Sequence, residues 1–409
     1  MYNANCVMKK QLLIPVLIVL FLIVATAIVI MLGRGYGLNF NGNGSILSGT
    51  GLLVATSSPD GAQVIINGHL TTATDNTINL APGDYDVKIF KEGYFPWEKK
   101  ITVKNEVVSK ADALLYPTAP QLTSITNVGV LNPVIDPSFS KIAYAVASQS
   151  AVKNGIYVLD MSVRPILTLQ NASSQIVQDL TNTFSQATFV WSPDSAQILA
   201  TINKENTSTK YLLDTTTLNQ TPQDVTETLD AINANWQSIK TDKDTAQLNS
   251  LPKVLRTVVA ANFNVLQWSA DETKILYQAS QSATIPLIIN PPLIGTDSTP
   301  QVRNIIKGQV YVYDIKEDRN YLILSTLPAP EIASGELPLM WYPDSKHLVY
   351  VHDGRIDMMD YDAQNQTTVY AGPFVDDYVF PWPDATQLVI LTNLGNPNIA
   401  PNLYTIGLK

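Results

Sequence analysis

The chain of 409 residues is long enough for two or three structural units. Hydrophobic residues make up 45% and charged residues only 15%, which allows a sizeable core. The net charge of −9 argues against a nucleic-acid partner, because phosphate binding requires clustered lysine and arginine. The single cysteine, Cys6, lies near the N-terminus, so disulfides and thiolate metal sites are excluded from the rest of the chain.

An uncharged apolar run over residues 12–32 follows Lys9 and Lys10. It is long enough to cross a hydrocarbon core as a helix, which takes about 20 residues. A cleaved signal peptide is the alternative, but its apolar core would be shorter and would end at small residues. The sequence therefore predicts a signal anchor, with a cytoplasmic tail over 1–11 and a transmembrane helix over 12–32 in the cytoplasmic membrane. The bulk of the chain is then extracytoplasmic, behind a flexible Gly- and Asn-rich linker over 33–49.

Residues 50–117 alternate short β-rich runs with turn signals. Asn67-Gly68 between two such runs predicts a hairpin. Pro82-Gly83 has the residue order of a type II turn. Two further turns complete the segment, and their residues are Pro59, Asp60, Gly61 and Ala62 for the first and Gly93 and Tyr94 for the last.

This succession of turns resembles the PEGA domain, which is named after a Pro-Glu-Gly-Ala turn. The residues Pro59 to Ala62 correspond to that turn, with Asp60 in place of the glutamate. The resemblance implies a small β-sandwich over 50–117. It also implies an extracytoplasmic protein of a prokaryote.

One motif recurs through residues 118–409. Each copy is a strand, a tight turn and a second strand, since Pro and Asp favour a type I turn between β-rich runs. The recurring residues are Trp191, Pro193 and Asp194; Trp268 and Asp271; Trp341, Pro343 and Asp344; and Trp382, Pro383 and Asp384. A copy without tryptophan begins at Pro137. Third strands ending in Asp follow, and outer strands are predicted over 165–169 and 321–324.

The repeated motif resembles the repeats of TolB-like, or WD40-like, β-propellers. The resemblance implies an all-β fold with a propeller of five four-stranded blades over 118–409, with six blades as the alternative. The recurring tryptophans are then expected to pack between blades as core residues. That family usually has glycine after the Asp, whereas Ser195, Glu272, Ser345 and Ala385 stand there, so the turns are expected to differ in detail.

The last copy of the motif has room for only three strands. Residues 121–126 are β-rich and have no partner of their own, so we predict that they pair antiparallel with 403–408 and join the two ends of the domain. Apolar residues at near-helical spacing predict a helical insertion over about 226–262. Two tryptophans outside the motif, Trp97 and Trp236, are predicted to be exposed contacts.

The sequence contains no recognisable catalytic, cofactor-binding or metal-binding motif. His69, His347 and His352 are the three histidines, and a structural role is predicted for the last two. Strand-end carboxylates at Asp357, Asp360 and Asp362 are predicted to face water rather than to hold a cation.

These observations predict a non-catalytic binding or scaffold protein of the prokaryotic cell envelope, with a protein or a glycan as its partner. Two alternatives remain. One is an envelope-associated hydrolase, a peptidase or a glycan-active enzyme, with its site in the helical insertion. The other is a structural assembly subunit of the cell surface.

Overall fold

The computed structural model describes residues 4–33, 36–38, 47–162, 173–205, 207–328, 338–375 and 377–409. The chain is mostly β, with 44% in strands and three α-helices in the described part. It divides into two compact units. Unit 1 comprises Met1–Glu92, Pro96–Leu115 and Leu293–Thr299, and unit 2 comprises Gly93–Phe95, Tyr116–Pro292 and Pro300–Lys409.

Helix α1, Ala4–Gly33, begins unit 1. Within the described residues, no helix combines the length and the apolar character that a membrane crossing requires. The prediction of a transmembrane helix over 12–32 is corrected accordingly.

The region predicted as a small β-sandwich contains two sheets. The strands of unit 1 are β1 Tyr36–Leu38, β2 Leu47–Gly49, β3 Gly51–Ser58, β4 Gln63–Ile66, β5 His69–Ala73, β6 Asn76–Leu80, β7 Gly83–Phe90, β8 Trp97–Val103 and β9 Val108–Leu114. One sheet has the order β6-β3-β9, with β3 antiparallel to β6 and parallel to β9. The other has the order β5-β4-β7-β8 and is antiparallel throughout. Strand β1 pairs antiparallel with β2 in a separate two-stranded sheet.

Two of the predicted turns of unit 1 have contrasting outcomes. The Asn67-Gly68 hairpin is confirmed, since both residues have positive φ (48° and 81°) and connect Ile66 to His69. Such a turn matches the twist of the flanking strands. The type II turn predicted at Pro82-Gly83 is wrong, because Gly83 has an extended backbone with φ 159° and is the first residue of β7.

The prediction that Trp97 is exposed is also wrong. Trp97 is the first residue of β8, and only 4% of it is accessible. Because successive strand residues alternate between two faces, Trp97 lies on the same buried face as Ile101 and Val103. It pairs across the sheet with the buried Ile89.

In the described part of unit 2, five four-stranded antiparallel sheets form the framework, and each contains one copy of the motif. Sheet 1 holds β11 Leu131–Ile135, β12 Lys141–Val146, β13 Gly155–Asp160 and β14 Ser173–Gln178. Sheet 5 holds β10 Leu122–Ser124, β29 Val379–Pro381, β30 Gln387–Thr392 and β31 Asn402–Gly407. Sheet 2 holds β15 Thr188–Trp191, β16 Gln197–Lys204, β17 Thr207–Asp214 and β18 Gln223–Asp224. Sheet 3 holds β19 Phe263–Trp268, β20 Lys274–Ala279, β23 Val310–Asp314 and β24 Arg319–Leu324. Sheet 4 holds β25 Leu339–Trp341, β26 His347–His352, β27 Arg355–Asp360 and β28 Thr367–Tyr370.

Sheets 1 to 4 follow chain order, and sheet 5 has the order β10-β31-β30-β29. A two-stranded ribbon, β21 Ala283–Thr284 with β22 Asn304–Ile305, lies within the long connection of sheet 3. The outer strand predicted over 321–324 is confirmed within β24. The one predicted over 165–169 lies outside the described residues, and β14 is the outer strand of sheet 1.

The predicted β-propeller is corrected by this topology. Backbone pairing stops at the fourth strand of each sheet in the described part of unit 2, and no sheet closes into a barrel or propeller. The repeated motif predicts only a local strand–turn–strand unit. Closure into a propeller depends instead on how all the sheets are arranged. The all-β class is likewise corrected to a mostly β chain with three helices.

The prediction of pairing between residues 121–126 and 403–408 is confirmed. Strand β10 pairs antiparallel with β31, with Thr123 opposite Thr405. The segment that begins unit 2 therefore supplies the fourth strand of the sheet that ends it.

The predicted helical insertion is confirmed between sheets 2 and 3. It consists of α2 Leu229–Ser250 and α3 Lys253–Asn262. Helix α2 ends before Leu251-Pro252 because a proline disfavours helical backbone in the residue before it. In α3, Leu255 and Val259 are buried one turn apart against sheet 3, whereas no residue of α2 is buried.

Candidate binding site

The motif turns of sheets 2 and 3 share one hydrogen-bonding scheme. In sheet 2, Ser192 Oγ donates to Asp194 Oδ1 (2.6 Å) and accepts from the Gln197 amide (2.9 Å). In sheet 3, Ser269 Oγ donates to Asp271 Oδ1 (2.8 Å) and accepts from the Lys274 amide (3.0 Å). The motif aspartates therefore hold turns together, as side-chain acceptors of local N–H and O–H groups do in turns generally.

The environment of Asp271 keeps its carboxylate ionised. Burial alone would raise the pKa of Asp271, but hydrogen bonds from Ser269 and Thr273, together with the nearby Lys274, lower it to about 2. This carboxylate is a structural acceptor at neutral pH and not a proton donor.

The residue after each motif aspartate has left-handed backbone. The φ values are 60° at Ser195, 54° at Glu272, 59° at Ser345 and 54° at Ala385, and Phe139 has φ 56° at the equivalent position of sheet 1. Glycine adopts this conformation without the cost that a Cβ imposes. The expected difference from the family pattern is therefore in residue type, while the turn still has positive φ.

Three of the four motif tryptophans pack between sheets, as predicted, whereas Trp268 packs against the core of sheet 3 and helix α3. Trp191, Trp341 and Trp382 are 3–5% exposed, and each belongs to a core cluster shared by two sheets. Trp191 Nε1 donates to the Val134 carbonyl of sheet 1 (3.0 Å), and Trp341 Nε1 donates to the Gln267 carbonyl of sheet 3 (3.3 Å). Trp268 is half-buried.

All five motif turns contribute to one cavity of about 730 Å³, which we call the turn cleft. Its turn wall consists of side chains from the five sheets, which are Pro137, Ser138, Phe139, Trp191, Pro193, Leu266, Gln267, Trp268, Ser269, Ala270, Glu272, Trp341, Pro343, Pro381 and Pro383. Its helix wall is one face of α2, with Lys240, Lys243, Asp244 and Gln247 at helical spacing.

A smaller cavity of about 340 Å³ shares several lining residues with the turn cleft, and we call it the inner chamber. Most of its lining is apolar and comes from the strand that precedes the motif turn in each of the five sheets. The residues are Val134, Ile135, Asp136, Pro137, Phe139, Val190, Trp191, Leu266, Gln267, Met340 and Phe380. A ligand could place apolar groups there while its polar groups stay in the turn cleft.

The two walls of the turn cleft differ in chemistry. Prolines have no backbone N–H, and the turn amides are used within the turns, as the bond from Ser195 N to the Ser192 carbonyl (3.0 Å) illustrates. The cationic side-chain donors of the cleft, Lys240 and Lys243, stand on the helix wall. There Gln247 Nε2 already donates to Glu272 Oε1 (2.9 Å), whereas the described residues provide no ion-pair partner for Lys240 or Lys243.

The histidines lie outside both cavities. His347 is buried, with Nδ1 2.6 Å from Asp344 Oδ2 and Nε2 3.3 Å from Asp360 Oδ1. Burial lowers the pKa of His347, but hydrogen bonds to the two aspartates outweigh it and raise the pKa to about 9. His352 lies between Asp353 and Asp357 at 3.2 and 3.0 Å.

The prediction that the strand-end carboxylates face water is wrong. Asp357, Asp360 and Asp362 are 3–9% exposed. Asp357 accepts from Thr368 Oγ1 and Gln366 Nε2, both at 2.7 Å, as well as facing His352. Asp357 and Asp360 therefore face histidines inside the sheet, and Asp362 accepts from the Gln364 amide (3.2 Å), as buried charges are usually paired or hydrogen-bonded. No cluster of His, Cys, Asp or Glu among the described residues is arranged to hold a metal ion.

The sequence motif includes many residues of the turn wall, but it gave no prediction of the helix wall. Trp191, Trp268, Trp341 and the motif prolines line the turn cleft, whereas Trp236 is a half-buried residue of α2 outside it. A usable signal was present in α2, since residues 240, 243, 244 and 247 form a polar stripe at one helical face.

Comparison with known proteins identifies one module. Residues 50–118 match the model of the PEGA domain, which confirms that prediction for this segment. The comparison with characterised proteins finds no match.

Three solved structures are similar in part. A protein described as TolB from Agrobacterium tumefaciens has 14% identity and a TM-score of 0.22, over 68% of this chain and 78% of that one. A eukaryotic initiation factor has 11% identity and a TM-score of 0.19, over 84% and 69%. The AtxE2 isopeptidase has 10% identity and a TM-score of 0.28, over 71% and 51%. At these TM-scores the likenesses carry no argument about fold or function.

Proposed function

We propose that this protein is a non-catalytic binding protein that acts outside the cytoplasm of a prokaryote and binds a segment of a partner protein in the turn cleft. The observation that carries the proposal is the cleft itself, to which all five sheets and helix α2 contribute. Concave sites with apolar walls and a few polar groups are where proteins usually bind their ligands.

The chemistry of the lining favours binding over catalysis. The titratable side chains of the turn cleft are Lys240, Lys243, Asp244 and Glu272, with no histidine or cysteine among the lining residues. General acid–base and nucleophilic catalysis rely most often on a histidine or on an activated nucleophile with a base in hydrogen-bonding reach.

A protein segment suits this cleft better than a glycan. Sugar rings stack on exposed aromatic faces, but Trp191 and Trp341 are only 5% and 3% exposed. Only Trp268 and Phe139 are partly exposed aromatic rings of the turn wall. Five prolines and Leu266 cover much of the remaining turn wall. Such a wall accommodates apolar side chains of a peptide.

The extracytoplasmic location is supported by the PEGA module at residues 50–118. Protease added to intact cells or spheroplasts should degrade the protein. Full protection of an epitope in unit 2, with a cytoplasmic marker also protected, would contradict this location.

Binding is tested with a variant that fills the cleft. Ala270 is exposed in the turn wall, so Ala270→Trp should block the cleft without disturbing the core. Ala196→Trp is the control, because Ala196 is exposed in the turn of sheet 2 but does not line the cleft. The full chain and both variants are used to capture partners from envelope extract and to probe a glycan array.

A protein captured by the natural chain and by Ala196→Trp, but lost with Ala270→Trp, supports the proposal. Equal capture by all three chains contradicts a role for the cleft. Glycan binding that Ala270→Trp abolishes contradicts the choice of a protein partner.

A further inference from the structure

The polar stripe of α2, residues 240, 243, 244 and 247, indicates which kind of peptide the turn cleft binds. Lys240 and Lys243 are exposed and lie three residues apart on the face of α2 that lines the turn cleft. Neither ammonium group has an ion-pair partner among the described residues. They are the unengaged cationic donors of a cleft whose opposite wall is rich in proline and apolar side chains.

Helix α2 leaves space for a ligand on this face. None of its 22 residues is buried, whereas Leu255 and Val259 hold α3 against sheet 3. The contact from Gln247 to Glu272 ties α2 to the turn of sheet 3. A helix attached in this way covers the cleft without filling it, and its lysines face the cavity.

We infer that the turn cleft binds an extended peptide segment of a partner protein in which apolar residues alternate with acidic ones; this inference rests on the proposed function. Successive side chains of an extended chain point to opposite sides. The apolar side chains then face the turn wall and the inner chamber, and the carboxylates face α2.

The spacing of the two lysines fits such a segment. Side chains on one side of an extended chain repeat about every 7 Å. Residues three apart on a helix have Cβ atoms about 5–6 Å apart, and the flexible lysine stems cover the difference. Two neighbouring acidic side chains can therefore meet Lys240 and Lys243 at the same time.

Two carboxylates also line the cleft and oppose this preference. Glu272 is engaged by Gln247, but Asp244 follows Lys243 directly and shares the cleft-facing side of α2. Asp244 should repel an acidic peptide. Reversal of the Asp244 charge should therefore raise the affinity for an acidic peptide, whereas reversal of the two lysine charges should lower it. The inference is thus tested by one gain and one loss of affinity.

The probes are three end-capped, fluorescently labelled hexapeptides, in which leucine alternates with glutamate, with serine or with lysine. Their binding to the full chain is measured by fluorescence anisotropy at low and at high salt. The natural chain should bind the glutamate peptide best and the lysine peptide worst, with the difference reduced at high salt because exposed charges are screened.

Charge reversal should redirect this preference. The double variant Lys240→Glu/Lys243→Glu should lose roughly tenfold in affinity for the glutamate peptide, which corresponds to about 1.4 kcal/mol. Asp244→Lys should gain roughly threefold for the same peptide, in line with a single exposed charge pair. Lys253→Glu is the matched control, since this exposed lysine lies on α3 and does not line the cleft.

The outcomes separate the inference from the proposed function. Equal binding of all three peptides, abolished by Ala270→Trp, overturns the acidic preference and leaves a peptide-binding cleft. Binding that Ala270→Trp does not change, or no binding of any peptide by the folded chain, overturns the inference. The capture experiment with Ala270→Trp and Ala196→Trp then decides the proposed function independently.

Discussion

Each motif turn contains one residue, other than glycine, whose backbone has a positive φ that favours glycine. Ala385 has φ 54°, where an L-residue costs about 1–2 kcal/mol and glycine does not. The same backbone recurs at all five turns, so it is a property of the turn and not of a single sequence. Glycine at these positions is therefore expected to increase the free energy of unfolding.

Ala385→Gly should raise the free energy of unfolding by about 0.5–1 kcal/mol, since relief of the positive φ exceeds the entropy that glycine adds to the unfolded chain. Chemical denaturation measures the change. Ala200→Gly is the control at a buried, extended position of β16 and should lower stability by about 1 kcal/mol or more. A loss of stability with Ala385→Gly would show that the turn does not carry this strain.

His347 is a second residue whose effect is measurable. Its pKa is raised in the folded state to about 9, from an ordinary value of 6.5, by its bonds to Asp344 and Asp360. A group with a raised folded pKa stabilises fully below its unfolded pKa, and this contribution is lost as pH rises through the folded pKa. Stability from this histidine should therefore decline from about pH 6.5 and be lost above about pH 9.

His347→Gln should lower stability at pH 6 by a few kcal/mol, because it leaves two aspartates without their buried cation. It should also flatten the decline of stability between pH 6.5 and 9. Thermal melts across this range measure both effects, with His69→Gln, an exposed histidine of β5, as the control. An unchanged pH profile in His347→Gln would contradict the assignment of the titration to this residue.

At the scale of elements, the two helices of the insertion have different roles although they are adjacent in the chain. Helix α3 repeats buried residues every four positions and packs on the aromatic core of sheet 3, where Phe263 and Tyr277 stack. Helix α2 presents its polar stripe to the turn cleft and has no buried residue. Helix α3 therefore contributes to the stability of the fold through its buried residues, whereas the residues of α2 remain accessible to a ligand.

Truncation of one side chain in each helix separates these roles. Leu255→Ala in α3 should cost about 2–4 kcal/mol of unfolding free energy, as buried leucines generally do. Ile239→Ala in α2 should cost less than about 1 kcal/mol, because this isoleucine is only half-buried. Denaturant titration of both variants measures the difference. Equal losses would show that α2 is as much a part of the core as α3.

At the scale of the whole molecule, sheet 5 joins the first and last strands of unit 2. Ile125 N donates to the Leu403 carbonyl (2.8 Å) and Gly407 N to the Gln121 carbonyl (3.0 Å), on either side of the facing pair Ser124 and Tyr404. This pair is of the non-hydrogen-bonded type, in which Cα atoms lie about 4.5 Å apart. That distance lies within the range for a disulfide.

Ser124→Cys/Tyr404→Cys in a Cys6→Ser background should cross-link under mild oxidation. Because the bond closes a very long loop, it should stabilise unit 2 by about 3–5 kcal/mol. Non-reducing electrophoresis and melting with and without reductant measure the two effects. Leu122→Cys/Tyr404→Cys is a diagonal pair about 7–8 Å apart and should not cross-link. Cross-linking of the diagonal pair alone would contradict the register.

The sequence by itself determined the local structure of this protein. The Asn67-Gly68 hairpin, the motif turns, the strands beside them and the insertion over 226–262 follow from backbone preferences and apolar spacing within a few residues. The pairing of β10 with β31 was also accessible, because a three-stranded remainder at one end requires a strand from elsewhere.

Only the tertiary structure decided which of these elements face one another. It placed Trp97 in a core, left each sheet open at its edges, and brought the polar stripe of α2 over turns as distant in sequence as that of Pro383. The physical reason is that turn geometry and strand alternation depend on neighbouring residues. Burial, sheet closure and the second wall of a cleft depend on contacts between segments far apart in the chain, which no local pattern encodes.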